Sequence, residues 1–353
     1  MKKVLTIGFM FLIIFLISSS GYSQDTTDAV QSDPVGQPLV TKEKSASKWE
    51  YSVNFTGKKV MGYTEFHIKF PDYGLEGHSL LAFPIDGISS CVNFSCKKVI
   101  SNSKGREYGF DISMEKVLTN PKEAMADSDW VTFPGDEDPA NRWVNGATKS
   151  DAELIGFGIN CRAKYSFPMN KFVSCVLGIG YRYQNYYYDV RGLSGWYEDP
   201  YYHYILLPEY FEGLNVLDYK VNYHLPYVGL DINLKNQEGI DLIIGGNYYY
   251  ALANDFDDHL LRYKNSESHC NGSGYTLSGA TRIKVITFKS GQTLFLCGGY
   301  SITRIKTTGT QVQKYYGDDP DTPNEEIITT SNSIDNTISL KQNTITAQLE
   351  YQF

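Results

Sequence analysis

The chain has 353 residues, 42% of them hydrophobic and 14% aromatic, with 28 Tyr against 4 Trp and a formal net charge of -8. That apolar content excludes a disordered chain, and the acidic balance makes a poor nucleic-acid binder that would instead draw basic peptides. One long apolar run, near the start, excludes a polytopic helical membrane protein.

That run, residues 4–17, follows Lys2 and Lys3 and precedes Ser18, Ser19 and Ser20, with Gly21 and Ser23 suited to the -3 and -1 positions of a cleavage site. The order is that of a secretory signal peptide over residues 1–23. No Cys follows to carry a lipid anchor, and loss of the two lysines makes the remaining chain more acidic. Residues 24–48 are polar without periodicity and read as a flexible periplasmic leader. The six cysteines, at 91, 96, 161, 175, 270 and 297, show no Cys-x-x-Cys spacing. They read as scattered packing thiols, with Cys161 and Cys175 as cross-strand neighbours left unbonded.

From residue 49 to the end the pattern has period two. Tyr51, Val53 and Phe55 alternate with Ser52, Asn54 and Thr56, and Ile345, Ala347, Leu349, Tyr351 and Phe353 alternate with polar residues. Leu177, Ile179 and Tyr181 alternate with Gly178, Gly180 and Arg182, and Gly and Arg do not make a sandwich core. Export, aromatic strands and a last strand ending at Phe353 favour an all-β fold, a ten-stranded antiparallel transmembrane barrel extending above the outer membrane. Short turns near residues 101–106, 167–171, 235–239 and 289–291 alternate with five long polar segments, 58–78, 118–151, 191–218, 256–274 and 307–339. The short turns are expected in the periplasm and the long segments as loops on one extracellular rim.

The seventh predicted strand, residues 240–252, has Leu242, Ile244, Tyr248 and Tyr250 on one face; continuing its parity turns Asp255, Asp257 and His259 inward. An imidazole beside a carboxylate is oriented to take a proton from water. By themselves, Asp and His also crowd into loops for solubility. Asp127 and Asp129, in the second long segment, are likewise open to two readings: a solvated Asx turn, or a pair holding a water, a proton or a cation. His269 beside Cys270 has no second pair to complete a metal site.

Asp127-Ser128-Asp129-Trp130, the run from Leu225 to Leu230, and Asp255-Phe256-Asp257-Asp258-His259 together resemble the omptin outer-membrane proteases, in order and at matching places; the Gly180-Tyr181 pair and the terminal Tyr351-Gln352-Phe353 also agree. The resemblance implies an endopeptidase with Asp127 and Asp129 facing Asp257 and His259 across an extracellular groove. Water between Asp127 and His259 would attack the peptide carbonyl, Asp257 would orient the imidazole, and no metal would take part. It further implies cleavage of peptides or proteins at basic residues, with Asp255 in the specificity pocket and Glu65, one residue out of step, as its second acid. Acidic residues 136–138 could hold the residue after the cut, or form an ordinary solvated loop. Lipopolysaccharide is the implied activator, but the family's acid and Arg on the fifth strand are replaced by Tyr183 and Asn185 beside the matching Tyr181. Tyr186, Tyr187, Tyr188 and the Tyr-rich residues 197–210 read as an aromatic girdle running into an outer loop, or as contacts to peptide or glycan. A passive pore and a catalytically silent adhesin of the same shape are the rival functions, and a closed barrel needs no oligomer.

Overall fold

The computed structural model describes residues 49–353 apart from 73, 100–104, 137, 200–202, 208–210, 237–238, 261–262, 320–321 and 331–332. The expected signal peptide and leader lie outside the described residues. Fourteen strands follow in order: β1 (Trp49–Asp72), β2 (Leu75–Pro84), β3 (Gly87–Val99), β4 (Glu107–Val117), β5 (Met125–Thr132), β6 (Trp143–Pro168), β7 (Val173–Asp199), β8 (His203–Leu207), β9 (Asn215–Lys235), β10 (Ile240–His259), β11 (Lys264–Thr287), β12 (Thr293–Asp319), β13 (Thr322–Thr330) and β14 (Ile334–Gln352). Ten of them close an antiparallel ring, β1-β14-β12-β11-β10-β9-β7-β6-β4-β3 and back to β1. Higher up, β2 and β5 take the places of β3 and β4 between β1 and β6.

The exchange of β3 for β2 has a local cause. Beside it, Gly62 has a φ of +139°, and a Cβ there would lie 1.9 Å from the Lys341 carbonyl oxygen. Only glycine can adopt that backbone against β14, and its own carbonyl then accepts the Ile85 amide at 2.9 Å as the neighbouring strand restarts.

The outer face carries the expected apolar residues. Phe55, Ile155, Phe157, Leu177, Ile179, Leu242, Ile244, Tyr248, Leu277, Ile345 and Leu349 are all exposed. The lumen beneath is lined by ion pairs, Arg162–Asp231 and Lys164–Asp111 at 2.7 Å and Arg282 with Glu350 at 2.7 Å and Asp241 at 3.3 Å, around a polar cavity of about 500 Å³. Apolar outside and charged inside is the arrangement a hydrocarbon solvent selects.

Above that cavity, opposite walls meet. The Thr64 and Tyr223 hydroxyls, on β1 and β9, are 2.6 Å apart across the ring. Phe83 stacks on Tyr219 at 4.1 Å between centroids and tilts against Tyr188 at 5.0 Å, with Phe66 edge-on to Tyr219. Leu225, Ile338 and Leu340 fill the remainder. Tyr186 and Tyr188 are buried in this layer, which corrects their reading as an interface girdle: their even parity on β7 turns them inward.

The five long segments expected as loops are also corrected. β1 runs to Asp72, β6 begins at Trp143, β10 ends at His259, and β12 runs to Asp319, so much of each segment is strand. Above the bilayer both faces meet water or polar groups, and the apolar alternation that marks a strand disappears while its backbone ladder continues. Cys161 and Cys175 are not neighbours either; they pair with Tyr181 and Phe167 respectively, and all six thiols are free.

The aromatic layer predicts that the folded protein in a planar bilayer gives no steady single-channel current; a constant conductance would contradict it. Phe83→Ala, which empties a fully buried site, should lower unfolding stability in detergent by ~3–5 kcal/mol.

Candidate active site

The site lies above the aromatic layer, where β5 and β10 project from nearly opposite walls of the ring. Inward parity persists along β10 as expected: Ala251 and Ala253 are fully buried, Asp255 and Asp257 follow at 6% and 1% exposure, and His259 ends the strand. The same alternation on β5 gives Asp127 and Asp129 one face, and puts Trp130 past a bulge on the other.

Asp257 Oδ2 lies 2.9 Å from His259 Nε2 and accepts the Ser266 hydroxyl at 3.4 Å from β11. With Nε2 donating to Asp257, Nδ1 is left as the basic nitrogen. Asp127 and His259 line one cavity of about 60 Å³, walled by Leu81, Met125, Val190, Leu193, Val216 and Leu217 and by Thr148 and Ser150. A single water needs roughly 15 Å³ and polar partners; both are present. Asp127 also lines an adjoining cleft of about 330 Å³ with Asp129, Gly146, Thr148 and Tyr197.

Asp255 forms the floor. It accepts a short hydrogen bond from the Ser268 hydroxyl, itself held by Asn336 Nδ2 at 2.6 Å, and one from Tyr219 at 3.3 Å. Burial is the largest influence and pushes its carboxyl up to about 7, with Asp257 adding to the rise against those hydrogen bonds.

Glu65 is not brought to this site. Thr64, Phe66 and Ile68 are the inward residues of β1, and Glu65 faces outward, pairing with Lys341 at 2.8 Å and accepting from Ser339. The mismatch of one residue in the sequence is a whole face in a strand. Asp136 and Asp138 accept from nearby backbone amides and cap a short 3₁₀ turn, Pro139–Asn141, while Glu137 lies outside the described residues. His269 bonds Asn254 on the outer face at 2.8 Å, away from buried Cys270. Among the described residues no group of three or more His, Cys, Asp or Glu is placed to hold a metal.

Sequence reasoning missed Tyr219, Ser266, Ser268 and the buried Lys264, which stands opposite His259 in the β10–β11 register. Alternation marks 264, 266 and 268 as inward, but their loop-like composition hid the strand.

A model of the omptin family matches residues 95–353. The chain belongs to the omptin family. The outer-membrane protease OmpT from Escherichia coli shares the fold, with a TM-score of 0.61 at 15% identity, covering 86% of this chain and 97% of that one. The translocator domain of the autotransporter NalP from Neisseria meningitidis (TM-score 0.33, 10% identity, 86% and 88% covered) and the β-domain of the Bordetella autotransporter BrkA (0.31, 8%, 87% and 99%) are more distant barrels that bear on nothing further. No curated protein sequence matches the chain.

The raised carboxyl of Asp255 fixes the sign of a stability effect. Between the ordinary carboxylate range near 4 and about 7, the unfolded chain is ionised while the folded one keeps its proton, so stability is present at low pH and is lost as pH rises through that window. Asp255→Asn should therefore gain stability over the parent at pH 8 and little at pH 4, measured by denaturant unfolding in detergent. An equal change at both pH values would contradict the buried, proton-holding carboxyl.

Proposed function

We propose that this omptin is an outer-membrane endopeptidase whose site opens to the extracellular side. The observation that carries the reading is the Asp257–His259 contact of 2.9 Å at the edge of a cavity whose far wall holds Asp127. Water there donates to Asp127 and to His259 Nδ1. As it attacks the peptide carbonyl, the imidazole takes its proton, and Asp257 holds the ring in the productive tautomer and offsets the positive charge. Asp129 faces the larger cleft and helps place the peptide. The residues suffice for general-base hydrolysis with water as nucleophile, with no covalent bond between enzyme and substrate. The family's protease fold and the closed lumen favour this over a passive pore; a silent adhesin would keep the shape without needing a histidine paired to a buried carboxylate.

Specificity for basic residues rests on Asp255. Once ionised, a carboxylate this deep attracts a cationic side chain strongly and leaves an apolar one without compensation for the buried charge. With Glu65 turned outward, one acid rather than two serves the pocket. Because burial holds the Asp255 carboxyl near 7, the preference for Arg or Lys should sharpen as pH rises above neutrality. Lipopolysaccharide is proposed as the lipid environment that supports activity.

Refolded protein assayed on a peptide panel, with and without lipopolysaccharide, should cleave next to Arg or Lys. His259→Ala and Asp127→Ala should each lose about 10²- to 10⁴-fold in kcat while folding normally. Asp255→Ala should lose the basic preference more than the rate. Full activity in folded His259→Ala removes the mechanism, and apolar preference in the parent removes the pocket assignment.

A further inference from the structure

Asp255 belongs to a row of inward side chains that crosses the ring at one level. Val221 on β9 is opposite it on one side and Ser268 on β11 on the other, and Gln311 on β12 is opposite Ser268. Asn336 on β14 stands one inward step lower, opposite Gly309, which carries no side chain. From there Asn336 reaches up, and its Nδ2 donates to the Ser268 hydroxyl at 2.6 Å. Ser268, Gln311 and Asn336 are each at most 2% exposed.

Two oxygens in this cluster lack a donor. Neither Gln311 Oε1 nor Asn336 Oδ1 has a hydrogen-bond partner, and the groups that act most strongly on Asp255 are Ser268, Asp257 and Tyr219, none of them a cation. A buried acceptor in this state has given up water and received nothing in exchange. The cluster is completed only by a group that brings donors into it.

The two basic side chains differ in how they meet that demand. An ammonium carries three N–H donors on one small nitrogen, which suits a carboxylate and two separate carbonyl oxygens. A guanidinium is a planar fork, held best when both oxygens of a carboxylate accept in parallel. At Asp255 that edge is already engaged, with Oδ1 accepting from Ser268 and Oδ2 from Tyr219 at 3.3 Å. Glu65, paired with Lys341 on the outer face, supplies no second edge.

We propose that the buried amides of Gln311 and Asn336 make this pocket selective for lysine over arginine, their oxygens accepting from the substrate ammonium beside Asp255. The inference rests on the endopeptidase reading and its Asp255 pocket. It adds two side chains and a discrimination that one carboxylate alone does not provide, because an isolated acid attracts either cation.

The test assays full-length refolded protein on paired peptides that differ only in Lys or Arg before the cleaved bond. The parent should favour Lys at least about tenfold in kcat/KM, and Gln311→Met/Asn336→Leu should bring the Lys-to-Arg ratio to within about threefold of one. Lys306→Gln, exposed on the outer face, should keep the parent ratio. Asn336 also holds Ser268, so Gln311→Met alone serves if the double variant fails to fold, and should lower the ratio about threefold or more. Equilibrium binding of the same peptides to folded His259→Ala protein, followed by calorimetry, separates the pocket from the chemistry. Lys-selective binding there, with no cleavage of any peptide by the parent, would remove the endopeptidase reading and keep the pocket. A Lys preference found in neither cleavage nor binding, or one that survives the Gln311 and double variants, would overturn the pocket, while cleavage of the Arg peptides would leave the endopeptidase reading standing.

Discussion

A backbone amide or carbonyl left unpaired in hydrocarbon costs several kcal/mol, so a sheet that crosses a bilayer must close on itself. Everything else in this molecule follows from that closure. The β1–β3 and β6–β7 ladders complete the ring, and the antiparallel meander forces each hairpin above the belt to rise beside its neighbours. Asp127 and Asp129 on one hairpin and Asp257 and His259 on another are separated by more than a hundred residues in the chain. Asp127 and His259 come to line one cavity only because the ring brings their strands round.

The interior is divided by chemistry as well as by height. Below, Arg162, Lys164 and Arg282 are matched by Asp231, Asp111, Asp241 and Glu350, and charges of both signs line a polar lumen. The middle is the layer of Phe66, Phe83, Tyr188, Tyr219 and Tyr223, which cross-braces opposite walls and supports the floor of the cleft through the Tyr219–Asp255 contact. A carboxylate on such a floor loses its water from below, and this raises Asp255; Asp257, one step higher, has His259 as a partner. The same strand thus presents two acids in different surroundings.

What could be read from the sequence was what a period of two can carry. Ile155, Leu177, Leu242 and Ile345 alternate with Gly, Asn and Arg because hydrocarbon lies on one side and a polar lumen on the other, and ten strands and the inward parity of Asp255, Asp257 and His259 follow from that contrast, whereas Asp127 and Asp129 are singled out only by the family resemblance. The contrast ends at the top of the belt. Residues 264–274 and 307–319 were thus read as loops although strands β11 and β12 run through them, and Ser266, Ser268 and Lys264 were missed with them. Glu65 failed for a related reason: a motif can slip by one residue without looking wrong, whereas a strand then shows its opposite face. Tyr186 and Tyr188 were misplaced because Tyr suits an interface and a lumen equally, and only their even numbering on β7 distinguishes the two.

Whether Asp127 and His259 act on one water molecule is the point on which the proposed chemistry turns. A double-mutant cycle in kcat/KM on a single basic peptide, using Asp127→Asn, His259→Asn and the combination in folded protein, addresses it directly. Two groups that serve the same water lose their effect together, so the double variant should be no slower than the slower single variant, within about threefold. Losses that multiply in the double variant would mean that the two residues act independently, and would contradict the shared water.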